Sequence, residues 1–279
     1  MIVSPSSKGW EVIYHRAHAL LAAQLAFYLA HTWRVGDRPA RVIETIAAIS
    51  HHDDLVKEWE STSLSEAGTP LDFTMPLHKV PQIVSMQPLL ELIEQALYRG
   101  RWVALLVSKH CCFLQEPKRG QSKIIDSFLS SQRKQQRQWQ RSLNITQHEA
   151  ESAYAYMQWC DRLSLILAQR QLPTRERALE IGYGPDGQRY DVLQRQNNTL
   201  FVSPWPFDVD RFCVNVETSY LNQATFKSRE TLILAMKQAK VQTLEWEFVN
   251  TALVKPIKRS SNSARRQREK NAAHGEKQE

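Results

Sequence analysis

The chain has 279 residues, 42% of them hydrophobic, which is enough for one large domain or two small ones with a substantial buried core. Its longest purely apolar runs are far below the ~20 residues that a membrane-spanning helix needs, and we expect neither a secretory signal nor a membrane partner. The formal net charge is +7, but the segment from Lys255 onwards holds eight Lys and Arg against three Glu, which leaves only +2 for the rest.

The basic C-terminal segment and the cysteines limit the other classes of protein. Residues 255–279 are rich in Ser, Asn, Arg and Lys without apolar periodicity, and this predicts a disordered basic tail. A solvated extension is the simple interpretation of this tail, and weak nucleic-acid binding is expected there if anywhere in the chain. Four cysteines show neither zinc-finger spacing nor a disulfide framework, so a reducing cytoplasm is the expected compartment.

Residues 1–3 and 10–14 are predicted to form short extended segments ahead of the first helix. Helices dominate the predicted elements from there to Pro173, because apolar residues recur at helical spacing. Asp37 can cap the second helix, and Pro39 is tolerated in its first turn. Residues 61–81 contain several prolines and are predicted to be a loop that packs over a site or a partner. The predicted helices cover about His15–Trp33, Asp37–Glu60, Pro88–Tyr98, Arg101–Leu114, Ser122–Arg141 and Gln147–Gln171.

After Pro173 the apolar period changes from helical to two, which predicts strands with one wet face. Phe212, Val214 and Val216 alternate with polar residues, and residues 244–248 repeat the pattern. Residues 190–193 and 199–202 are typical of a hairpin, and a helix over residues 228–240 separates the last two strands. The prediction is a mainly α chain with a small antiparallel β-sheet appended near its C-terminus.

Four of the helices place a residue that commonly binds metals in the middle of an apolar stripe. These residues are His18 in the first helix, Asp53 in the second with His52 about 100° round the helix, His110 in the fourth and Asp161 in the last. Taken singly, such a histidine is more often a satisfied core residue, and such an aspartate caps a helix or pairs with an arginine. An unpaired buried carboxylate costs several kcal/mol, however, so a buried Asp must be paired or bound to a cation.

Packing the four stripes together would bring these side chains to one place. Imidazole with carboxylate is a ligand set suited to iron, manganese, zinc or another divalent ion. The sequence therefore predicts a divalent metal site between the helices.

The order His18, then His52-Asp53, then a distant Asp161 resembles the HD superfamily of metal-dependent phosphohydrolases. This resemblance implies an HD-like helical core over residues 1–178, with a small β-containing region over residues 179–254 packed on it. It also implies that His18, His52, Asp53 and Asp161 are the metal ligands. His110 would match the additional histidines of some branches, which bind a second metal or meet the substrate.

A closer resemblance covers nearly all of residues 1–250. Several motifs are similar to the successive signatures of an uncharacterised bacterial family, number 3891 among the domains of unknown function. These motifs are Ile49-Ser50-His51-His52-Asp53-Asp54, Pro70-Leu71-Asp72-Phe73, Leu105-Leu106-Val107-Ser108-Lys109-His110, Cys160-Asp161-Arg162-Leu163-Ser164-Leu165 and Pro204-Trp205-Pro206-Phe207. The resemblance implies a fold and a site, and it supplies no established activity.

The leading hypothesis is a divalent-metal-dependent phosphohydrolase that acts on a phosphate ester or a nucleotide, a small phosphorylated substrate. A bound metal would lower the pKa of a coordinated water and polarise a phosphoryl oxygen. Asp54, Lys57 or His110 would then orient the phosphate or carry the proton. Two other classes stay open. One is a non-catalytic regulatory module that binds a metal or ligand on an HD-like scaffold, and the other is a nucleic-acid-binding protein that acts through the tail.

Overall fold

The computed structural model describes residues 1–29, 31–33, 39–54, 63–75 and 86–250. Lys57 and the predicted disordered basic tail, residues 255–279, lie outside these ranges. Residues Met1–Val249 form one compact unit. No helix among the described residues is long and apolar enough to cross a membrane.

Seven α-helices are described, most of them where the apolar periodicity predicts one. They are α1 (His15–Phe27), α2 (Pro39–His51), α3 (Gln87–Arg99), α4 (Arg101–Gln115), α5 (Lys123–Leu143), α6 (Gln147–Ala168) and α7 (Arg229–Lys237), with a short 3-10 helix at Glu116–Lys118. Local sequence fixes several ends. Asn144 ends α5 in the left-handed conformation, and a capping box of Thr146 and Glu149 begins α6 directly afterwards.

The β-strands of the described residues form a single seven-stranded sheet. They are β1 (Ile2–Ser6), β2 (Gly9–Ile13), β3 (Leu179–Tyr183), β4 (Arg189–Gln194), β5 (Leu200–Ser203), β6 (Arg211–Leu221) and β7 (Lys240–Val249). Their order in the sheet is β1-β2-β6-β7-β5-β4-β3, and every neighbouring pair is antiparallel except β5 and β7. In β6 the predicted alternation is present, because Phe212, Val214 and Val216 are buried between exposed neighbours.

The prediction of a mainly α, HD-like helical bundle with a small appended sheet is therefore wrong, and so is any all-α assignment. Two of the seven strands, β1 and β2, come from the N-terminus, and β2 pairs with β6 through Trp10 and Leu221 and through Val12 and Ser219. The predicted extended segments at residues 1–3 and 10–14 coincide with parts of β1 and β2, but their place in the sheet was missed, because β2 pairs with a strand some 200 residues away in sequence. The sheet is a main layer of the molecule and is mixed rather than antiparallel.

The helical layer packs directly against the sheet. Gln24 of α1 donates from Nε2 to the carbonyl oxygen of Asn215 at 2.9 Å, and the N–H of Asn215 donates back to Gln24 Oε1 at 3.0 Å. An aromatic group joins α6 to the strands, with the Trp159 ring 4.9 Å from Trp33 and 5.7 Å from Tyr190 between centroids. These contacts hold α1 and α6, and therefore His18 and Asp161, in fixed positions on the sheet.

Candidate metal centre

The five predicted His and Asp side chains from the helical stripes meet at one point. His18 lies in α1, His52 and Asp53 follow α2, His110 lies in α4 and Asp161 in α6. His18 Nε2 is 2.8 Å from Asp53 Oδ2, and His52 Nε2 is 3.2 Å from Asp161 Oδ1. The rings of His52 and His110 lie 4.8 Å apart between centroids. We refer to these five residues as the His/Asp cluster.

The local structure at His52 differs from the predicted helix that runs towards Glu60. Helix α2 ends at His51, and residues 52–54 form a turn in which the N–H of Asp54 donates to the carbonyl oxygen of His51 at 3.2 Å. Within this turn His52 and Asp53 still point inward, towards the other three residues of the cluster. Their orientation is therefore set by the turn and does not depend on a helix that continues past His51. Residues 55–62 lie outside the described ranges.

Two overlapping groups in the cluster have the composition of a metal site. One is His18, His52 and Asp53, the other is His52, His110 and Asp161, and within each group the candidate ligand atoms lie within 4.8 Å of one another. The three histidines are buried, whereas the side chains of Asp53 and Asp161 keep 19% and 16% exposure. These groups could hold a metal ion that is reached from the side of the carboxylates.

The tautomer of His18 follows from its second hydrogen bond. The buried Ser164 hydroxyl donates to the carbonyl oxygen of Asp161 at 2.8 Å, so its oxygen is left to accept the Nδ1–H of His18 at 2.9 Å. A neutral His18 therefore carries its lone pair on Nε2, the atom that faces Asp53.

His52 has the same arrangement. Its Nδ1 lies 2.5 Å from the carbonyl oxygen of Ile49, which can only accept, so Nδ1 carries the hydrogen. The Nε2 lone pair of a neutral His52 then faces Asp161. Metal-binding histidines commonly donate their other ring N–H to a carbonyl or another oxygen in this way, because the bond fixes the tautomer and the orientation of the ring.

Two imidazole lone pairs thus point at two carboxylates, and these contacts are stable only if a positive charge lies between them. A proton or a cation can supply that charge. The donor set of nitrogen and carboxylate oxygen fits a divalent ion such as zinc, iron or manganese.

In the metal-free protein a proton on His52 takes this role. Burial disfavours the imidazolium, but the carboxylates of Asp161 and Asp53 outweigh it and raise the pKa of His52 to about 9. Burial alone would raise the pKa of Asp53, yet the close contact with the His18 ring and the charge on His52 hold it below its usual range. Burial likewise opposes ionisation of Asp161, whose pKa is nevertheless lowered by His52.

His110 has the opposite character. Burial, reinforced by the neighbouring charge on His52, lowers the pKa of His110 to about 4, so the ring is neutral near pH 7. Its Nδ1 is buried and has no hydrogen-bond partner among the described residues. A buried ring nitrogen without a partner is uncommon and costs free energy, which a ligand at this position would recover.

Asp54 does not join the cluster. Its carboxylate bonds to His51 Nδ1 at 2.6 Å and to Arg16 Nε at 3.2 Å. Arg99 Nη1 lies 3.3 Å from His51 Nε2, and because a guanidinium only donates, His51 must donate to Asp54 from Nδ1. Asp54 therefore orients neighbouring groups and is not positioned as a ligand. Lys57, the remaining predicted site residue, lies outside the described part of the chain.

Sequence reasoning missed three residues next to the cluster. Ser164 lies one turn after Asp161 on the same face of α6, a spacing that could have suggested a supporting role. Arg16 and Arg99 come from α1 and α3, and no sequence signal connects them with residues 51–54.

A sequence model of the family described as "Protein of unknown function (DUF3891)" matches residues 1–223. The chain belongs to the DUF3891 family. The matched range includes all seven predicted site residues of this DUF3891 protein, together with β1 to β6. No curated protein and no solved structure matches the chain.

Proposed function

We propose that the protein binds a divalent metal ion through His18, His52, Asp53 and Asp161 and hydrolyses a small phosphorylated substrate. The observation that carries this proposal is the pair of histidines whose Nδ1 atoms are already bonded, so that both Nε2 lone pairs face carboxylate oxygens. The order of these residues along the chain, which resembles the HD superfamily, supports the same reaction class. Iron, manganese and zinc all suit this ligand set.

When bound, the ion supplies Lewis-acid polarisation of a phosphoryl oxygen and a water of lowered pKa. The residues of the chain position the substrate and transfer the proton. His110 is neutral, and its Nδ1 has no partner among the described residues, so it can orient the phosphate or accept a proton. Asp54 holds Arg16, whose side chain is 55% exposed and whose guanidinium can attract the phosphate to the edge of the site. A role for Lys57 with the phosphate stays a prediction.

Elemental analysis of purified protein tests the metal. Wild type is expected to contain nearly stoichiometric divalent metal, and His52→Gln and Asp161→Asn are each expected to lose it. His148→Gln is the matched control, because His148 is exposed in the first turn of α6, away from the cluster. Far-UV circular dichroism is used to check that each variant is folded, because removing one partner of a buried ion pair is destabilising.

A phosphoester screen with added Mn or Fe tests the reaction. Turnover that is lost in the two metal-deficient variants would support hydrolysis. Thermal stabilisation by divalent ions without turnover would instead favour the non-catalytic binding module. Protein that contains no metal after careful preparation and shows no hydrolysis with added metal would contradict the proposal.

A further inference from the structure

A cleft of about 510 Å³ lies between α4, α5 and α6, next to the His/Asp cluster. Its wall includes Phe113 and Tyr154, whose rings are 6.4 and 6.5 Å from the His110 ring between centroids. His110 in turn contacts His52. The inner end of the cleft therefore reaches the His/Asp cluster at His110, and the volume of the cleft is in the range of small-molecule sites.

Two buried polar atoms without partners among the described residues lie close to this end of the cleft. The Tyr154 hydroxyl is buried and has no hydrogen-bond partner within the described ranges, and the same is true of His110 Nδ1. Nearly all buried polar atoms in proteins are satisfied by protein or water. Two unsatisfied atoms on neighbouring rings, 6.5 Å apart between centroids and one of them on a residue of the cleft wall, favour a polar ligand that reaches this end of the cleft.

The charges of the cleft favour an anion. Lys109, Arg133 and Arg137 line it together with Glu116 and Glu151. Glu116 is already neutralised, since Arg133 and Arg119, which lies outside the lining, both donate to it.

Two hydrogen-bond donors on α5 have no partner among the described residues. Glu151 accepts from Gln147 and lies 3.9 Å from Lys109 Nζ, and within the described residues it forms no ion pair with Arg137. Arg137 has no ion-pair partner in the described part of the chain, and the Gln140 amide one turn away has no hydrogen bond there. A guanidinium and an amide without partners at a cleft wall are suited to an anionic group.

We propose that this cleft binds the alcohol part of the substrate, and that this part carries a second anionic group, a carboxylate or a further phosphate, which Arg137 binds. The Tyr154 hydroxyl bonds to the substrate at the inner end, close to the reacting phosphate. This inference rests on the proposed function and deepens it, because it restricts the substrate to phosphate esters with a second anion.

Calorimetric titration of the full chain, as purified, with three probes tests the anion site. The probes are glycerol phosphate, phosphoglycerate and glucose bisphosphate. Beside the first phosphate they carry, in turn, only neutral hydroxyl groups, a carboxylate and a second phosphate. One or both doubly anionic probes are expected to bind about tenfold tighter than glycerol phosphate, and Arg137→Gln is expected to remove the difference. Arg141→Gln is the control, because Arg141 is exposed one turn further along α5 and outside the cleft lining.

Tyr154→Phe removes only the hydroxyl, so it distinguishes an effect on substrate affinity from an effect on the stability of the fold. Loss of a buried unsatisfied hydroxyl is expected to leave the melting temperature of the free protein unchanged or higher, whereas affinity for the preferred probe falls by about fivefold. A hydroxyl with no part in binding would leave the affinity unchanged, and that result would overturn its role. Equal affinity for all three probes, or equal effects of the Arg137 and Arg141 variants, would overturn the anion site.

The outcomes for the two proposals can be told apart. Arg137-dependent binding by protein without metal or turnover would overturn the phosphohydrolase and leave the cleft supported. Metal-dependent hydrolysis of the doubly anionic esters that is insensitive to Arg137→Gln and Tyr154→Phe would overturn the cleft alone. With both correct, Arg137→Gln raises KM for the doubly anionic ester and leaves kcat and metal content unchanged.

Discussion

Ser164 shows how one hydroxyl prepares the His/Asp cluster. It accepts from His18 of α1 and donates to the backbone of Asp161 in α6, so it joins two helices and sets the tautomer of a proposed ligand. Without it, His18 could turn its protonated nitrogen towards Asp53 and lose its lone pair for a metal. The residue is completely buried, which makes its contribution independent of solvent.

Replacing Ser164 by Ala is expected to lower metal affinity by about 10- to 100-fold, the usual effect of removing a partner that orients a ligand. The change also leaves His18 Nδ1 unsatisfied, at a cost of about 1–3 kcal/mol in the free energy of unfolding. Competition with a metallochromic chelator measures the affinity. Ser142→Ala is the matched control, since its hydroxyl bonds only to the carbonyl oxygen of Trp139 in α5. Equal affinity of the two variants would argue against the role of Ser164.

At the scale of elements, a buried polar chain fixes α2 against α4. Trp102 Nε1 donates to Thr45 Oγ1 at 2.9 Å, and the Thr45 hydroxyl donates to the carbonyl oxygen of Arg41 at 2.7 Å. The Arg41 guanidinium lies 4.5 Å from the centroid of the Trp102 ring. Because α2 leads into His52 and α4 carries His110, this contact sets the distance between two residues of the cluster.

Thr45→Val preserves the shape of the side chain but leaves the buried Trp102 N–H without a partner. We expect it to lower the free energy of unfolding by about 1–3 kcal/mol, which a urea titration can measure. Ile43→Thr on the same helix is the control and should stay within about 0.5 kcal/mol of wild type, since Ile43 is 72% exposed. Unchanged stability of Thr45→Val would show that the Trp102 hydrogen bond adds nothing to the packing of α2 on α4.

At the scale of the whole molecule, the N-terminal strands depend on the C-terminal half of the sheet. β2 pairs with β6 on its inner edge, and α1 packs on β6 through Gln24 and Asn215. Gly9 is required at this joint, since an added Cβ would lie 2.1 Å from the backbone oxygen of Leu221. The helices that carry the cluster therefore need the sheet beneath them.

A chain truncated after residue 178 is expected not to fold, because it leaves β2 without β6 and exposes the buried faces of α1 and α6. Far-UV circular dichroism, thermal melting and recovery in the soluble fraction measure this. A chain that ends at Asn250 is the control and should melt cooperatively, because Met1–Val249 form one compact unit. A cooperative transition in the shorter chain would show that the helices fold without the sheet.

Periodicity within single elements was enough to predict most of the helices and alternating strands such as β6. The meeting of His18, His52, Asp53, His110 and Asp161 was inferred from residues that commonly bind metals on several helices, whereas the turn after α2 that directs His52 and Asp53 inward was decided by the tertiary structure. Tertiary structure alone decided the sheet order, since a period of two shows that a strand exists without naming its partner. It also decided the bond between Ser164 and His18, the diversion of Asp54 to Arg16, and the cleft beside His110. Each of these depends on atoms brought together from distant elements, and no local pattern in the sequence encodes that meeting.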